Sequence, residues 1–290
     1  MTPVVEPESI NGDLPLSREQ RVAYMQHHEA RNAELAERSI GIATRIGPRP
    51  LRRRGDLGSA VTDGCSPGRV AAVEFFAHAA ACIAAMAGDR PVTIVDVGAG
   101  AGGQLDAFID AGLRGRYIAI DIARHRKWKD GPRSHFERTL IVADVNRFDA
   151  GTLPPIDVLV SNTALEHIRD DAGAIRSLST RLAAGAAQAH FVPAEAALHL
   201  YGPHGSRQYS PWCLEQRFPT GEIFRYGGPA AAAVHREWIT PATQAGGCRR
   251  DQDPAAYRRL RDLAMDQDEQ DGNTPALMYG VLVAAASARS

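Results

Sequence analysis

The sequence predicts a doubly wound α/β domain with a seven-stranded sheet, preceded by N-terminal helices and interrupted by insertions. Three observations predict it. Short apolar runs recur at 92–97, 116–122, 139–143, 156–161 and 187–192, each of a length that suits a strand buried on both faces. Helix-forming segments at 103–112, about 124–130, 146–151 and 169–184 separate them, the rhythm of parallel strands joined by crossover helices. Two later apolar runs, 221–226 and 277–285, complete the sheet.

Residues 1–16 are acidic and proline-containing, lack a basic-then-apolar leader, and are expected to form a flexible arm. Ser17 followed by Gln20 is a capping box. From there the composition is helical to about Ile46, with Val22, Met25, Leu35 and Ile40 available as a buried stripe. Gly47, Pro48 and Pro50 close that helix, and the arginine-rich stretch 49–56 reads as a solvated linker. Ser66 and Pro67 suit the N-cap and first position of a second helix that ends at Gly88. Residues 17–89 thus form a helical cap before a main domain at 90–290. Within that domain, 194–218 and 228–272 break the rhythm and read as substrate-facing insertions. The acidic run 265–272 lacks the ligand order of a calcium loop and reads as solvated.

Composition excludes several classes. The chain has 290 residues, 44% hydrophobic and 23% charged, ordinary values for a protein with a full core. The net charge of -1 supplies no bulk field for nucleic acid or an anionic membrane. No run is expected to reach the roughly 18–20 apolar residues that span a bilayer. Cys65, Cys82, Cys213 and Cys248 have no paired spacing, which argues against a disulfide framework or a zinc knuckle. A cytoplasmic protein acting on a small molecule, with no nucleic-acid or membrane partner, is the expectation, and a homodimer is compatible with it.

The chemistry concentrates in VTIVDVGAGAGGQLDAF. A strand ends at Val97, a glycine turn follows at Gly98, Gly100, Gly102 and Gly103, and a helix begins. Glycine is needed where the backbone must turn tightly and approach a ligand, and the helix beyond presents free N–H groups. The spacing fits both G-x-G-x-G and G-x-G-x-x-G, so the glycines alone do not choose the ligand. Asp96 stands at the strand end, where a carboxylate can receive an amino group. Asp121 closes the next strand and can accept both hydroxyls of a ribose. Asp144 closes the third, beside Val145, where it can meet an adenine amino group. All three fall on the carboxyl edge of the sheet, where open α/β folds bind ligands.

VDVGAGAG, AIDIA, VADV and DVLVSNTALEHIRD together resemble the successive motifs of class I S-adenosylmethionine-dependent methyltransferases, over about residues 90–195, and ALMYGVLVA resembles their reversed last strand. The resemblance implies the Rossmann-like fold of that superfamily and S-adenosylmethionine as cofactor. It places Asp96, Gly98 and Gly100 on the methionine part, Asp121 on the ribose, and Asp144 with Val145 on the adenine. Ala99 and Ile122 belong to the same cofactor-binding set, and Ser161 and Asn162 line the pocket. A nicotinamide-dependent oxidoreductase and a non-catalytic protein of the same fold are the alternatives. The first would more often carry its glycine turn near the N-terminus, and the second need not keep all three carboxylates.

Methyl transfer at oxygen needs a held nucleophile and a group to take its proton. His167 and His204 are the candidate bases, since an imidazole titrates near neutrality. Glu166, His199, Arg207 and Tyr209 are candidate substrate contacts, the last two for a carboxylate or phosphate. Glu166, His167, His199 and His204 fit no metal-ligand spacing, HxxxH and HExxH being absent, so no metal is expected.

Overall fold

The computed structural model describes residues 7–39, 46–47, 61–240 and 249–284. The arginine-rich stretch 49–56, Ile40 and Cys248 lie outside them. The strands are β1 (Ile46–Gly47), β2 (Val92–Val97), β3 (Gly115–Asp121), β4 (Phe136–Val142), β5 (Ile156–Asn162), β6 (Leu182–Pro193), β7 (Glu222–Tyr226) and β8 (Met278–Val283). They form one sheet in the order β1-β7-β8-β6-β5-β2-β3-β4. All seven expected strands are present, and the two-residue β1 adds an edge beside β7. Every pairing is parallel except those of β8, which runs antiparallel between β6 and β7. This order with its reversed strand is that of the class I methyltransferase fold.

Strand periodicity sorts the core into two faces. Ile94, Tyr117, Ala119, Val158 and Val160 meet helix α2 (Pro67–Ala87) and α3 (Leu105–Asp110) on one side. Val95, Val97, Ile118, Ile120 and Leu159 meet α4 (Asp171–Ser179) on the other. Burial on both faces is why these strands read as unbroken apolar runs. The sheet order reverses around β2, flanked by β3 and β5, and that switch opens a crevice at the carboxyl ends.

Ser66 caps α2 by accepting the Arg69 N–H at 3.2 Å, with Pro67 in the first turn. The Phe75 ring lies 5.7 Å from that of Phe191 and 6.1 Å from that of Tyr226. A Cβ at Gly280 would stand 2.4 Å from the Phe75 ring, so a bare backbone on β8 is what admits the helix. By length and hydropathy α2 could cross a bilayer, contrary to the sequence expectation, but half of that apolar window is buried within the molecule. Alanine-rich packing against the sheet accounts for its composition.

The first helix, α1 (Arg18–Ser39), starts with the expected capping box: Ser17 Oγ accepts the Gln20 N–H at 3.2 Å, and Gln20 Oε1 accepts the Ser17 N–H at 2.8 Å. Its buried stripe differs from the expected one. Tyr24, His28, Asn32 and Leu35 face inward, while Val22 is exposed. The face is polar because it packs on a polar loop. Tyr24 donates to the His204 carbonyl at 2.8 Å, and Asn32 donates to Gln208 Oε1 at 3.4 Å.

Three other expectations change. Of the expected arm, residues 7–16 pack on the body. Ile10 is buried with Tyr24 and Leu198, and the Gly12 N–H donates to the Gly205 carbonyl at 2.8 Å. The 124–130 segment is irregular, with buried Trp128 stacked on Tyr117 at 6.4 Å. The insertions are largely helical: α5 (Leu198–Tyr201) and α6 (Pro211–Arg217) in the first, then α7 (Pro229–Trp238), α8 (Arg249–Gln252) and α9 (Pro254–Gln270) in the second. The acidic run is the end of α9, where buried Asp268 accepts the Ala230 and Ala231 N–H groups at 2.9 and 2.8 Å and so caps α7.

Candidate active site

The glycine turn has the backbone that its sequence demands. Gly98, Gly100 and Gly102 all have positive φ, and a Cβ on Gly98 would lie 2.4 Å from that of Ala164. A Cβ on Gly100 would meet nothing within 4 Å, so the tip of the turn faces open space. Asp121 holds that tip: its Oδ2 accepts the Gly100 N–H at 2.8 Å, and its Oδ1 accepts the Ala123 N–H at 3.3 Å. Ile122 follows with 75% of its surface exposed, a bare apolar ledge beside the carboxylate. Asp144 closes the turn after β4, accepting the Asn146 N–H at 3.0 Å, with Val145 partly buried beside it. Turn, carboxylate and ledge lie in a row along the sheet edge.

Asp96 occupies a different place from the one expected. It is fully buried, on the same face of the sheet as Tyr117, and accepts a short hydrogen bond from the Tyr117 hydroxyl. Burial pushes its carboxyl up to about 7, against the opposing pull of that hydrogen bond. It lines neither cavity described below. Ser161 is likewise buried, its Oγ 2.8 Å from His190 Nδ1. Asn162 is the member of that pair that faces the site, and its buried Oδ1 has no hydrogen-bond partner.

Two cavities meet at Asn162, Arg69 and Ala72. The larger, about 400 Å³, runs between α2 and α3 past Gly103 and Gln104. The smaller, about 240 Å³, lies over the ends of β5, β6 and β8 and is lined by Glu166, Tyr201 and His204 among others. Arg69 borders both, within 3.4 Å of where a Gly103 Cβ would stand, and has no carboxylate partner among the described residues. Sequence reasoning missed it. Its only signal was a basic residue in the first turn of a helix, where the dipole does not favour one.

Thr163 also lines the smaller cavity and adopts φ +46°, an uncommon conformation for a β-branched residue and one that costs on the order of 1–3 kcal/mol. It turns the chain so that Glu166 faces inward. Glu166 is 1% exposed, its Oε2 has no partner, and burial pushes its carboxyl up to about 7. His204 is half-buried, and burial draws its imidazole below the ordinary value, favouring the neutral ring.

The remaining candidates fall elsewhere. His167 does not line the cavity; its Nδ1 lies 2.6 Å from Asp13 Oδ2. His199 is exposed on α5, 3.9 Å from Glu29. Arg207 and Tyr209 are not substrate contacts in this geometry. Both bond to Asp171, the hydroxyl at 2.8 Å, and Arg217 joins them at 2.6 Å, so that a buried carboxylate is enclosed by two guanidiniums and a phenol. Residues charged and aromatic enough to recognise a ligand are here used to tie α4 to the insertion.

No protein-family model matches the sequence, and no curated protein matches it. Among solved structures the chain is similar to a methyltransferase in complex with the Trm112 activator of Haloferax volcanii (16% identity over 73% of this chain and 89% of that one, TM-score 0.45). It is also similar to a methyltransferase from an antibiotic biosynthesis pathway of Anabaena variabilis (14%, 67% and 91%, TM-score 0.42) and to the plantazolicin methyltransferase BpumL in complex with a pentazolic analogue and SAH (12%, 71% and 82%, TM-score 0.41). At such identities the functional reading rests on this chain's own residues.

Proposed function

We propose that the protein transfers a methyl group from S-adenosylmethionine to an oxygen of a small molecule. The junction at Asn162 carries this reading: a cavity between α2 and α3, bordered by Gly103 at the end of the glycine turn, meets a second one with a buried carboxyl and an imidazole on its wall. The residues present fit the cofactor. The open tip at Gly100 admits close backbone approach, Arg69 can pair with the methionine carboxylate, and the unpartnered Asn162 Oδ1 can accept its ammonium group in place of Asp96. Asp121 retains lone pairs for the ribose hydroxyls, Ile122 offers an apolar face to the adenine, and Asp144 with Val145 lies at its edge.

When bound, S-adenosylmethionine supplies a methyl carbon on a positive sulfur, which the acceptor oxygen displaces in line as the carbon–sulfur bond breaks. The protein's part is to orient the acceptor and remove its proton. We assign the proton to Glu166 rather than His167, because Glu166 lines the cavity and has a free oxygen there, while His204 beside it can hydrogen-bond the acceptor. A volume of about 240 Å³ lies below the range usual for drug-sized ligands and suits a small acceptor. An NAD-dependent oxidoreductase fits less well, since dinucleotide-binding sheets follow the parallel order 3-2-1-4-5-6, without the antiparallel β8 found here. We place the protein in the cytoplasm, where cysteines without paired spacing stay reduced.

The test is turnover with hydroxylated small molecules, followed as S-adenosylhomocysteine and an O-methylated product. Acceptor-dependent turnover supports the reading, and methylation solely at nitrogen overturns the choice of oxygen. Arg69→Ala is expected to weaken S-adenosylhomocysteine binding by roughly tenfold to a hundredfold, the loss of one charge-assisted contact. Unchanged affinity in calorimetry would remove Arg69 from the site.

A further inference from the structure

The segment before α1, the turn after β5 and the loop after β6 bring one carboxylate and two imidazoles together. Asp13 Oδ2 lies 2.6 Å from His167 Nδ1, and Asp13 Oδ1 lies 3.7 Å from His204 Nδ1. The two rings meet edge to face with centroids 4.7 Å apart. One ligand atom from each of the three residues lies within 4.8 Å of the others. The cluster is braced. The Gly205 N–H donates to Asp13 Oδ1 at 2.9 Å, and the Tyr24 hydroxyl donates to the His204 carbonyl at 2.8 Å. The Ser206 N–H donates to the Glu166 carbonyl at 2.7 Å, tying the loop to the turn that carries His167.

We propose that Asp13, His167 and His204 form a site for a divalent first-row transition ion. Two imidazoles and one carboxylate suit ions such as zinc, cobalt or nickel, and three protein ligands leave positions open for a further oxygen. A second observation points the same way. Glu166, almost wholly buried and with an unpartnered Oε2, places its Oε1 3.7 Å from His167 Nε2. A metal-bound histidine commonly gives its other ring N–H to a carboxylate, which fixes the tautomer. Here Nε2–H faces Glu166 and Nδ1 is left for the ion, which would replace the proton shared with Asp13. Donors about 2.1 Å from one tetrahedral centre stand roughly 3.4 Å apart, so the 2.6 Å contact of Asp13 with His167 would have to open as the half-buried His204 ring turns in. The expectation of no metal arose because Asp13 lies far from both histidines in sequence and belonged to a segment read as an arm.

His204 also lines the smaller cavity, so an open coordination position would face it. There the ion would bind the acceptor oxygen and lower its pKa, leaving Glu166 to take the proton. This last step rests on the methyl-transfer reading, and the ion site itself does not.

The test is titration of the metal-free full chain with cobalt(II) alone, followed by calorimetry and by visible absorption. One ion per chain is expected, with bands of four- or five-coordinate cobalt. Asp13→Asn, which keeps a side-chain oxygen for the Gly205 N–H, and His204→Ala should each raise the Kd at least tenfold without changing the metal-free circular dichroism. His199→Ala should bind as the parent does. Absence of stoichiometric binding, or binding unaffected by both substitutions, overturns the proposal. Cobalt binding in a protein that binds no S-adenosylmethionine would uphold the site and overturn the methyl-transfer reading instead.

Discussion

Asp171→Ala is expected to lower the unfolding free energy by about 3–5 kcal/mol, the range for removing one partner of a buried ion pair. Asp171 is 1% exposed and receives Arg207, Arg217 and the Tyr209 hydroxyl. Without it two largely buried guanidiniums face each other unneutralised, at a cost greater than the hydrogen bonds themselves. In a chain of this size the midpoint of thermal unfolding should fall by on the order of 10 °C. A loss below about 1 kcal/mol in urea titration, typical of a surface pair, would mean that solvent reaches this cluster freely. Affinity for S-adenosylmethionine should stay unchanged at temperatures where the variant is folded, which separates a structural network from the ligand contact expected of Arg207 and Tyr209.

Glu166→Gln is expected to lower kcat by roughly 10²–10⁴-fold, the contribution of a positioned general base. The substitution keeps the shape, and the amide cannot accept the acceptor's proton. KM and S-adenosylhomocysteine affinity should change little, since Glu166 lines the acceptor cavity and has no place at the glycine turn. A kcat within threefold of the parent would transfer the base role to His204 or to solvent. His167→Ala, measured beside it in metal-free and metal-loaded protein, tests His167 as the base: a loss larger than that of Glu166→Gln that is the same in both would restore it, whereas a loss confined to the loaded protein belongs to the ion site.

The glycine turn and the carboxylate beside it were legible in the sequence because their determinants are local. Asp121, Gly98 and Gly100 announce themselves by type and spacing, since a positive φ admits few residues other than glycine and Asp121 is the polar last residue of an apolar strand. The seven strands were legible for the same reason, as apolar runs, those at the centre of the sheet being buried on both faces. Asp96 shows the limit of such reading. Strand alternation puts it on the face of Tyr117, and only the register of β2 with β3 reveals that. The second cavity was harder to foresee because its lining residues are distant in sequence. Glu166 and His204 were both singled out, yet their shared cavity depends on α2, β6 and β8 closing over it. Asp13 gave no signal at all, because its value depends on Gly205 and His167 across the fold. Arg207 and Tyr209 misled because a residue suited to bind an anion is equally suited to bind Asp171, and burial alone decides between the two uses.

The most direct measurement of the central claim is calorimetry of the full chain with S-adenosylmethionine and, separately, with NAD, repeated on Asp121→Ala. The expected result is one S-adenosylmethionine per chain, no heat from NAD, and an affinity lowered roughly tenfold to a hundredfold in the variant, as for the loss of hydrogen bonds to a charged group. Binding of NAD without S-adenosylmethionine, or equal affinities in parent and variant, would contradict it.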